Sequence, residues 1–194
     1  MKDLKLVALA FTLVFAISCK DSKKENETIT ETEVVKNVEE TIVKNKNLSI
    51  LLSPKSGSDI KGTLNFTEEN GQVTMNGTIS GLETGKHAIH IHEKADCSSD
   101  DGKSSGGHWN PTAQPHGAWG DDTGYHKGDI GNLTANANGV ATLAKTTDEW
   151  CIGCGDETKD ILGKAVIVHL GVDDMKSQPS GDAGARIGCA GIIE

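Results

Sequence analysis

His90 and His92 lie two apart in the alternating run Ala88-Ile89-His90-Ile91-His92. Strand period two sends both imidazoles to one face and Ile89 and Ile91 to the other, the core. Two imidazoles fixed on one strand make a rigid half of a metal site. An isolated His-x-His pair is more often a surface accident, so the pair alone says little. His108, His116 and His126 follow in a segment without strand period, and Asp129 stands just after them. Three nitrogens and one carboxylate oxygen suit a tetrahedral zinc ion. His169 closes the apolar run Ala165 to Val168 and adds another imidazole. The competing reading is a scatter of solvated histidines. His87 precedes the metal strand and reads as a buried hydrogen-bonding residue, not a ligand.

These side chains need a frame, and the sequence supplies strands. Leu48, Ile50 and Leu52 alternate with Ser49, Leu51 and Ser53. Leu64 and Phe66 continue the period, then Val73, Met75, Gly77 and Ile79. Turn signals separate the runs at Pro54 to Ser58, Glu69-Asn70-Gly71 and Gly81 to Gly85. Short strands closed by turns predict a meander that opens a β-sandwich or barrel. Further strands are expected around Ala88 to His92, Asp129 to Thr134, Gly139 to Ala144, Lys164 to Leu170 and Ala185 to Ile192. With 23 glycines and 36% hydrophobic residues, the composition also favours an all-β class. Residues 93–128 form a long loop, and long loops inside compact domains are usually functional.

The chain reads as three parts. Residues 1–19 resemble a secretory leader: Lys2 and Lys5, an apolar run from Leu6 to Ile17, then Ala16-Ile17-Ser18-Cys19. The run is shorter than the roughly 20 residues a membrane span needs. Its end resembles a bacterial lipoprotein signal, which predicts lipidation of Cys19. Residues 20–47 are polar and mixed in charge and read as a tether, with Val34, Val35, Val38, Ile42 and Val43 able to line a short helix. Residues 48–194 form the folded domain. The expected location is the periplasm or cell envelope, with the membrane met only through the lipid anchor. A formal charge of −9 argues against nucleic acid or anionic lipid as the main partner. Of five cysteines, four remain beyond Cys19, an even number that permits two disulfides in an exported protein. Cys151-Ile152-Gly153-Cys154 admits a redox pair, half a zinc site or a tight local disulfide. The local disulfide is favoured, because no second such pair exists to complete a zinc site.

Several motifs together resemble copper/zinc superoxide dismutases. Gly85-Lys86-His87-Ala88-Ile89-His90-Ile91-His92-Glu93 is similar to that family's copper-binding strand. Gly107-His108-Trp109-Asn110-Pro111 and Pro115-His116-Gly117 resemble its bridging and zinc-loop histidines. His126-Lys127-Gly128-Asp129-Ile130-Gly131-Asn132-Leu133 resembles its last zinc ligands, and Val166-Ile167-Val168-His169 its fourth copper ligand. Asp182-Ala183-Gly184-Ala185-Arg186-Ile187-Gly188-Cys189-Ala190-Gly191 resembles its active-site arginine and disulfide cysteine.

The resemblance implies an eight-stranded Greek-key β-barrel with long metal-binding loops. It implies one copper on His90, His92, His108 and His169, and one zinc on His108, His116, His126 and Asp129. His108 would bridge both ions, and Asp173 would link a copper ligand to a zinc ligand from outside the ligand set. The implied reaction converts superoxide to oxygen and hydrogen peroxide by copper redox cycling, with Arg186 docking the anion and His108 carrying a proton. Cys97 and Cys189 would form the family disulfide, worth about 4 kcal/mol in the chain-entropy picture. A homodimer is compatible with the fold, and no strand pattern marks its face. The competing function is a non-catalytic copper- and zinc-binding protein, a store or donor of the same fold. Three departures stand out: the Cys151–Cys154 segment, Leu170 where many members carry glutamate, and a His116-to-His126 interval that reads a residue long. Only Lys176 adds positive charge between Asp173 and Arg186, which predicts weak electrostatic steering by that loop.

Overall fold

Alternating burial along short segments builds this domain. The structure, a computed structural model, describes residues 45–194. The expected leader, the expected lipidation of Cys19, the expected tether up to residue 44 and the short helix expected around Val34 to Val43 fall outside the described residues. Eight strands run β1 (Lys46–Pro54), β2 (Lys61–Glu69), β3 (Gln72–Ser80), β4 (Gly85–His92), β5 (Asp129–Ala135), β6 (Val140–Thr147), β7 (Ala165–His169) and β8 (Arg186–Gly191). Among the described residues the helical content is one 3-10 turn, Lys103–Ser105.

All strand pairs are antiparallel, in the order β5-β4-β7-β8-β1-β2-β3-β6. The two end strands, β5 and β6, come together and nearly close the sheet into a barrel. Connections β3–β4 and β6–β7 cross between non-adjacent strands, the Greek-key arrangement expected from the resemblance. β1 begins two residues before the expected Leu48, because Lys46 and Asn47 pair with Glu68 and Thr67 of β2. Those two residues are polar, so a hydrophobic pattern does not register them; backbone pairing and the Lys46–Glu68 ion pair hold them.

The barrel interior takes Ile50 and Leu52, Leu64 and Phe66, Val73, Met75 and Ile79, with Ile89 and Ile91 from β4 and Val166 and Val168 from β7. Each such aliphatic side chain contributes about 1.5–3 kcal/mol on burial. Leu51, out of phase, is exposed. β7 is buried on both faces. Ala165 and Ile167 pack in a separate cluster with Cys189, and Cys97 rests against it. That outer cluster sits under the long loop, beside the face that carries the histidines.

Candidate metal centre

His90 and His92 point away from Ile89 and Ile91, as the period-two reading predicts, yet both are almost fully buried. The loop over residues 93–128 covers them. A short bridge ties His108 to His92, and the Trp109 amide donates to the Ile91 carbonyl at 2.8 Å. Two β-bulges set the strand ends. The β4–β5 register shifts between Ile89 and His90, leaving His90 opposite Asp129. The β7–β8 register shifts between Val168 and His169, leaving His169 opposite Arg186. Bulges re-aim side chains at functional sites, and each one here sets a histidine opposite a charged residue, Asp129 or Arg186.

The structure brings the predicted residues together in two sets that share His108. Ligand atoms of His90, His92, His108 and His169 lie within 4.8 Å of one another, and so do those of His108, His116, His126 and Asp129. The long His116-to-His126 interval is taken up by turns in which Asp121 caps onto Ala118 and Gly124 onto Asp121, so the loop arches outward and both histidines stay in place.

Five of the six rings, all but His126, are held through one nitrogen and leave the other unsatisfied. His90 Nε2 meets Asp173 Oδ2 at 2.8 Å, His92 Nδ1 the Gly106 carbonyl at 3.0 Å, and His169 Nδ1 the Gly184 carbonyl at 3.2 Å. His90 Nδ1, His92 Nε2, His108 Nε2 and His169 Nε2 are buried without a hydrogen-bond partner, as are Nδ1 of His116 and of His126. On the second set, His108 Nδ1 meets Asp129 Oδ1 at 2.9 Å. His116 Nδ1 and His126 Nδ1 also lie 3.0 and 3.2 Å from the Asp129 carboxylate, without hydrogen-bond alignment. Buried polar atoms are normally paired. Six orphaned nitrogens converging in two groups are what metal ions would satisfy, so the residues fit a copper ion on the all-nitrogen set and a zinc ion on the set with a carboxylate.

Electrostatics divide the two sets. Burial, then neighbouring His108, pushes His92 well below its ordinary pKa. Burial also lowers His108 to about 4 and His169 to about 3. These rings are neutral and ready to donate lone pairs. Burial opposes charge on His116 as well, but Asp129 and Asp173 on either side outweigh it and raise it to about 9. Burial would raise Asp129; three imidazoles and the His126 amide outweigh that and hold it well below the usual carboxylate range.

Asp173 spans the two sets, with His90 on Oδ2 at 2.8 Å and His116 Nε2 on Oδ1 at 2.9 Å. Sequence reading did not identify what holds Asp173 and His116. Asn132 does the first, donating to the Asp173 carbonyl and accepting from its amide, each at 2.9 Å. Gln178 does the second, accepting from the His116 amide at 2.9 Å and donating to its carbonyl at 2.8 Å. Gly181 has φ +66°, and a Cβ there would overlap the Asp173 carboxylate and the His116 ring. The local signal for all three is weak, since their partners lie far along the chain. His87 is buried as expected, its ring nitrogens 3.1 and 2.9 Å from the carbonyls of His169 and Glu83.

Arg186 lines an open cleft of about 500 Å³ with His92, His108 and His169. Its Nη1 donates to the Gly102 carbonyl at 2.9 Å and to Ser105 Oγ at 3.2 Å. Among the described residues no carboxylate lies within ion-pairing distance of it, so its charge is not engaged in a salt bridge. Cys97 and Cys189 are disulfide-bonded, Cα atoms 5.8 Å apart, and staple this loop to β8 three residues beyond Arg186. Cys151 and Cys154 form the second, local disulfide. Leu170 and Val172 are exposed beside the cleft end of β7.

The family model of copper/zinc superoxide dismutase (SODC) matches residues 60–192. An extracellular superoxide dismutase [Cu-Zn] of Caenorhabditis elegans is 37% identical over 144 residues, covering 71% of this chain and 63% of that protein's length. Among solved structures, a SOD-like protein from Bacillus subtilis superposes with a TM-score of 0.67 at 29% identity, covering 75% of this chain and 97% of that one. The clock protein EA4 superposes with a TM-score of 0.66 at 31% identity, covering 77% of this chain and 96% of that one.

Proposed function

The chain belongs to the copper/zinc superoxide dismutase family, and from that premise we propose that it disproportionates superoxide to oxygen and hydrogen peroxide. The observation that carries the proposal is the convergence of six orphaned histidine nitrogens on two adjacent sites beside Arg186. His90, His92, His108 and His169 would hold copper, and His108, His116, His126 and Asp129 would hold zinc. When bound, copper supplies one-electron chemistry, taking an electron from one superoxide and returning it to the next.

The chain's own groups do the rest. Arg186 presents a fixed positive charge to the cleft. Gly102 and Ser105 anchor one of its terminal nitrogens, leaving other N–H donors of the fork to dock an anion. His108 divides its two nitrogens between the sites. Its Nδ1 lies with the Asp129 carboxylate on the zinc side, and its Nε2, on the cleft side, would be the atom that holds a proton and gives it up to the docked anion. Asp173 fixes the tautomers of His90 and His116 from outside the ligand set.

The leader-like start and the two disulfides support export to the cell envelope, with Cys19 as the lipid anchor. A non-catalytic copper- and zinc-binding protein of the same fold is the second reading, favoured by solved relatives described only as SOD-like. Activity of the metal-loaded protein decides between them. The expected result is about one copper and one zinc per chain and superoxide removal well above that of free copper, abolished in His108→Ala. Full metal loading with no activity above free copper replaces the enzyme with the binding protein.

A further inference from the structure

The β6–β7 connection carries a cluster of donors that the cleft does not use. Sulfurs of Cys151 and Cys154 and a carboxylate oxygen of Asp160 lie within 4.8 Å of one another. The two cysteines are bonded, with Cα atoms 6.0 Å apart. Backbone hydrogen bonds also hold the segment around them. Cys151 bridges to Asp160, its amide donates to the Lys159 carbonyl at 2.8 Å, and its carbonyl accepts from Ile161 at 3.0 Å. Trp150 and Ile152, on either side, are buried in the core. The Asp160 carboxylate gathers the amides of Gly153, Gly155 and Leu162 at 2.8, 2.9 and 3.0 Å. That leaves it about one acceptor site of four. The Asp156 amide lies 3.5 Å from Cys154 Sγ, and such a donor favours thiolate over thiol. Cys154 is exposed, open to an attacking thiol, whereas Cys189 of the other disulfide is fully buried.

We propose that this loop is a redox-gated metal site, in which reduced Cys151 and Cys154 with Asp160 bind one zinc(II)-class ion outside the histidine centre. The gating step consumes a dithiol reductant: its two S–H groups close to a disulfide while the Cys151–Cys154 bond opens to two thiols. Metal binding then displaces both thiol protons, and sulfur coordinates the ion directly. Cys-x-x-Cys is a spacing that zinc sites use. The structure adds what the spacing lacks, a third donor held within 4.8 Å of both sulfurs by backbone amides. Water fills the fourth position, and the oxidised loop is closed to metal.

The test uses the full chain with copper and zinc already loaded. It is treated with dithiothreitol, freed of excess reductant, checked by thiol alkylation and mass mapping, and titrated with cobalt(II). The expected result is one further cobalt per chain with thiolate-to-cobalt charge-transfer absorption, absent without reductant. Replacing both cysteines by serine removes that absorption, and Asp160→Asn, which keeps an acceptor for the loop amides, weakens binding roughly tenfold. No charge-transfer band after confirmed opening of Cys151–Cys154, failure of the bond to open, or a band that survives the double serine variant overturns the proposal. Dismutase activity does not enter the readout, so this outcome is independent of the reading of the histidine centre.

Discussion

The two halves of the metal centre are built differently. The copper-side nitrogens come mostly from strand ends: His90 and His92 close β4, and His169 closes β7. The zinc-side groups His116 and His126 come from the loop, with Asp129 alone at the start of a strand. Charge follows the same division. His92, His108 and His169 are driven neutral by burial, whereas His116 sits between two carboxylates that keep it protonated up to about 9. His92, His108 and His169 are thus neutral, each with a lone pair ready for a metal. The loop-borne half holds a proton where a cation belongs, and a metal must displace it. A loop can supply ligands as well as a strand, but here it needs carboxylates to gather them, and those carboxylates also retain protons.

Changing pH stretches this difference furthest. In metal-free protein His116 is protonated below about 9, so a metal ion entering there releases one proton. Zinc affinity should therefore rise with pH, by up to about tenfold per unit, and level off above about pH 9. Between pH 6 and 9 this amounts to as much as about a thousandfold. Copper affinity should gain nothing from His92, His108 or His169 in that window, because all three are already neutral there. Competition titrations with chelators, corrected for chelator protonation, measure both curves; parallel curves would erase the distinction.

Asp173 joins the halves, so removing its charge tests whether they are independent. Asp173→Asn should lower both copper and zinc affinity about 10- to 100-fold, since His90 and His116 each lose the anion that orients them. Metal analysis after dialysis against a chelator reads this directly. Loss confined to zinc would mean that the barrel alone positions His90.

The smallest effect is expected at Gln178, which touches only the loop-borne half. Gln178→Ala removes two hydrogen bonds to the His116 backbone, each worth about 1 kcal/mol. Zinc affinity should fall several-fold while copper affinity stays unchanged. Equal losses at both sites would show that the loop also holds the copper-side rings.

The sequence and the structure agree where short-range physics governs. Period two placed His90 and His92 on one face and Ile89 and Ile91 on the other, because strand geometry alone decides which way a side chain points. The eight strands were legible from alternation and turn signals, except that backbone pairing extends β1 over polar Lys46 and Asn47 and carries β6 past the expected Ala144 to Thr147. The groups that hold the ligands were not legible. Asn132 and Gln178 act through contacts across tens of residues, to Asp173 and to the His116 backbone, and Gly181 acts by leaving room for the Asp173 carboxylate and the His116 ring. Asp160 is not legible for a similar reason: a Cys-x-x-Cys points to a second cysteine pair, whereas the fold brings a carboxylate there by bridging residue 160 back to residue 151. Nor does spacing reveal the proton on His116, which depends on two carboxylates converging from different connections.

β4 pairs with β5 on one side and β7 on the other, and so it serves as the common datum for the whole centre. His90 and His92 stand on it, Asp129 is set against it at one bulge, and His169 arrives from its other neighbour. Errors of position therefore do not accumulate around the copper-side set; each member is referenced to the same rail by at most one strand pairing. Drift in the covering loop is passed to the zinc-side groups first. The site where electrons would be exchanged keeps the tighter tolerance, and the site that would only hold charge absorbs the slack.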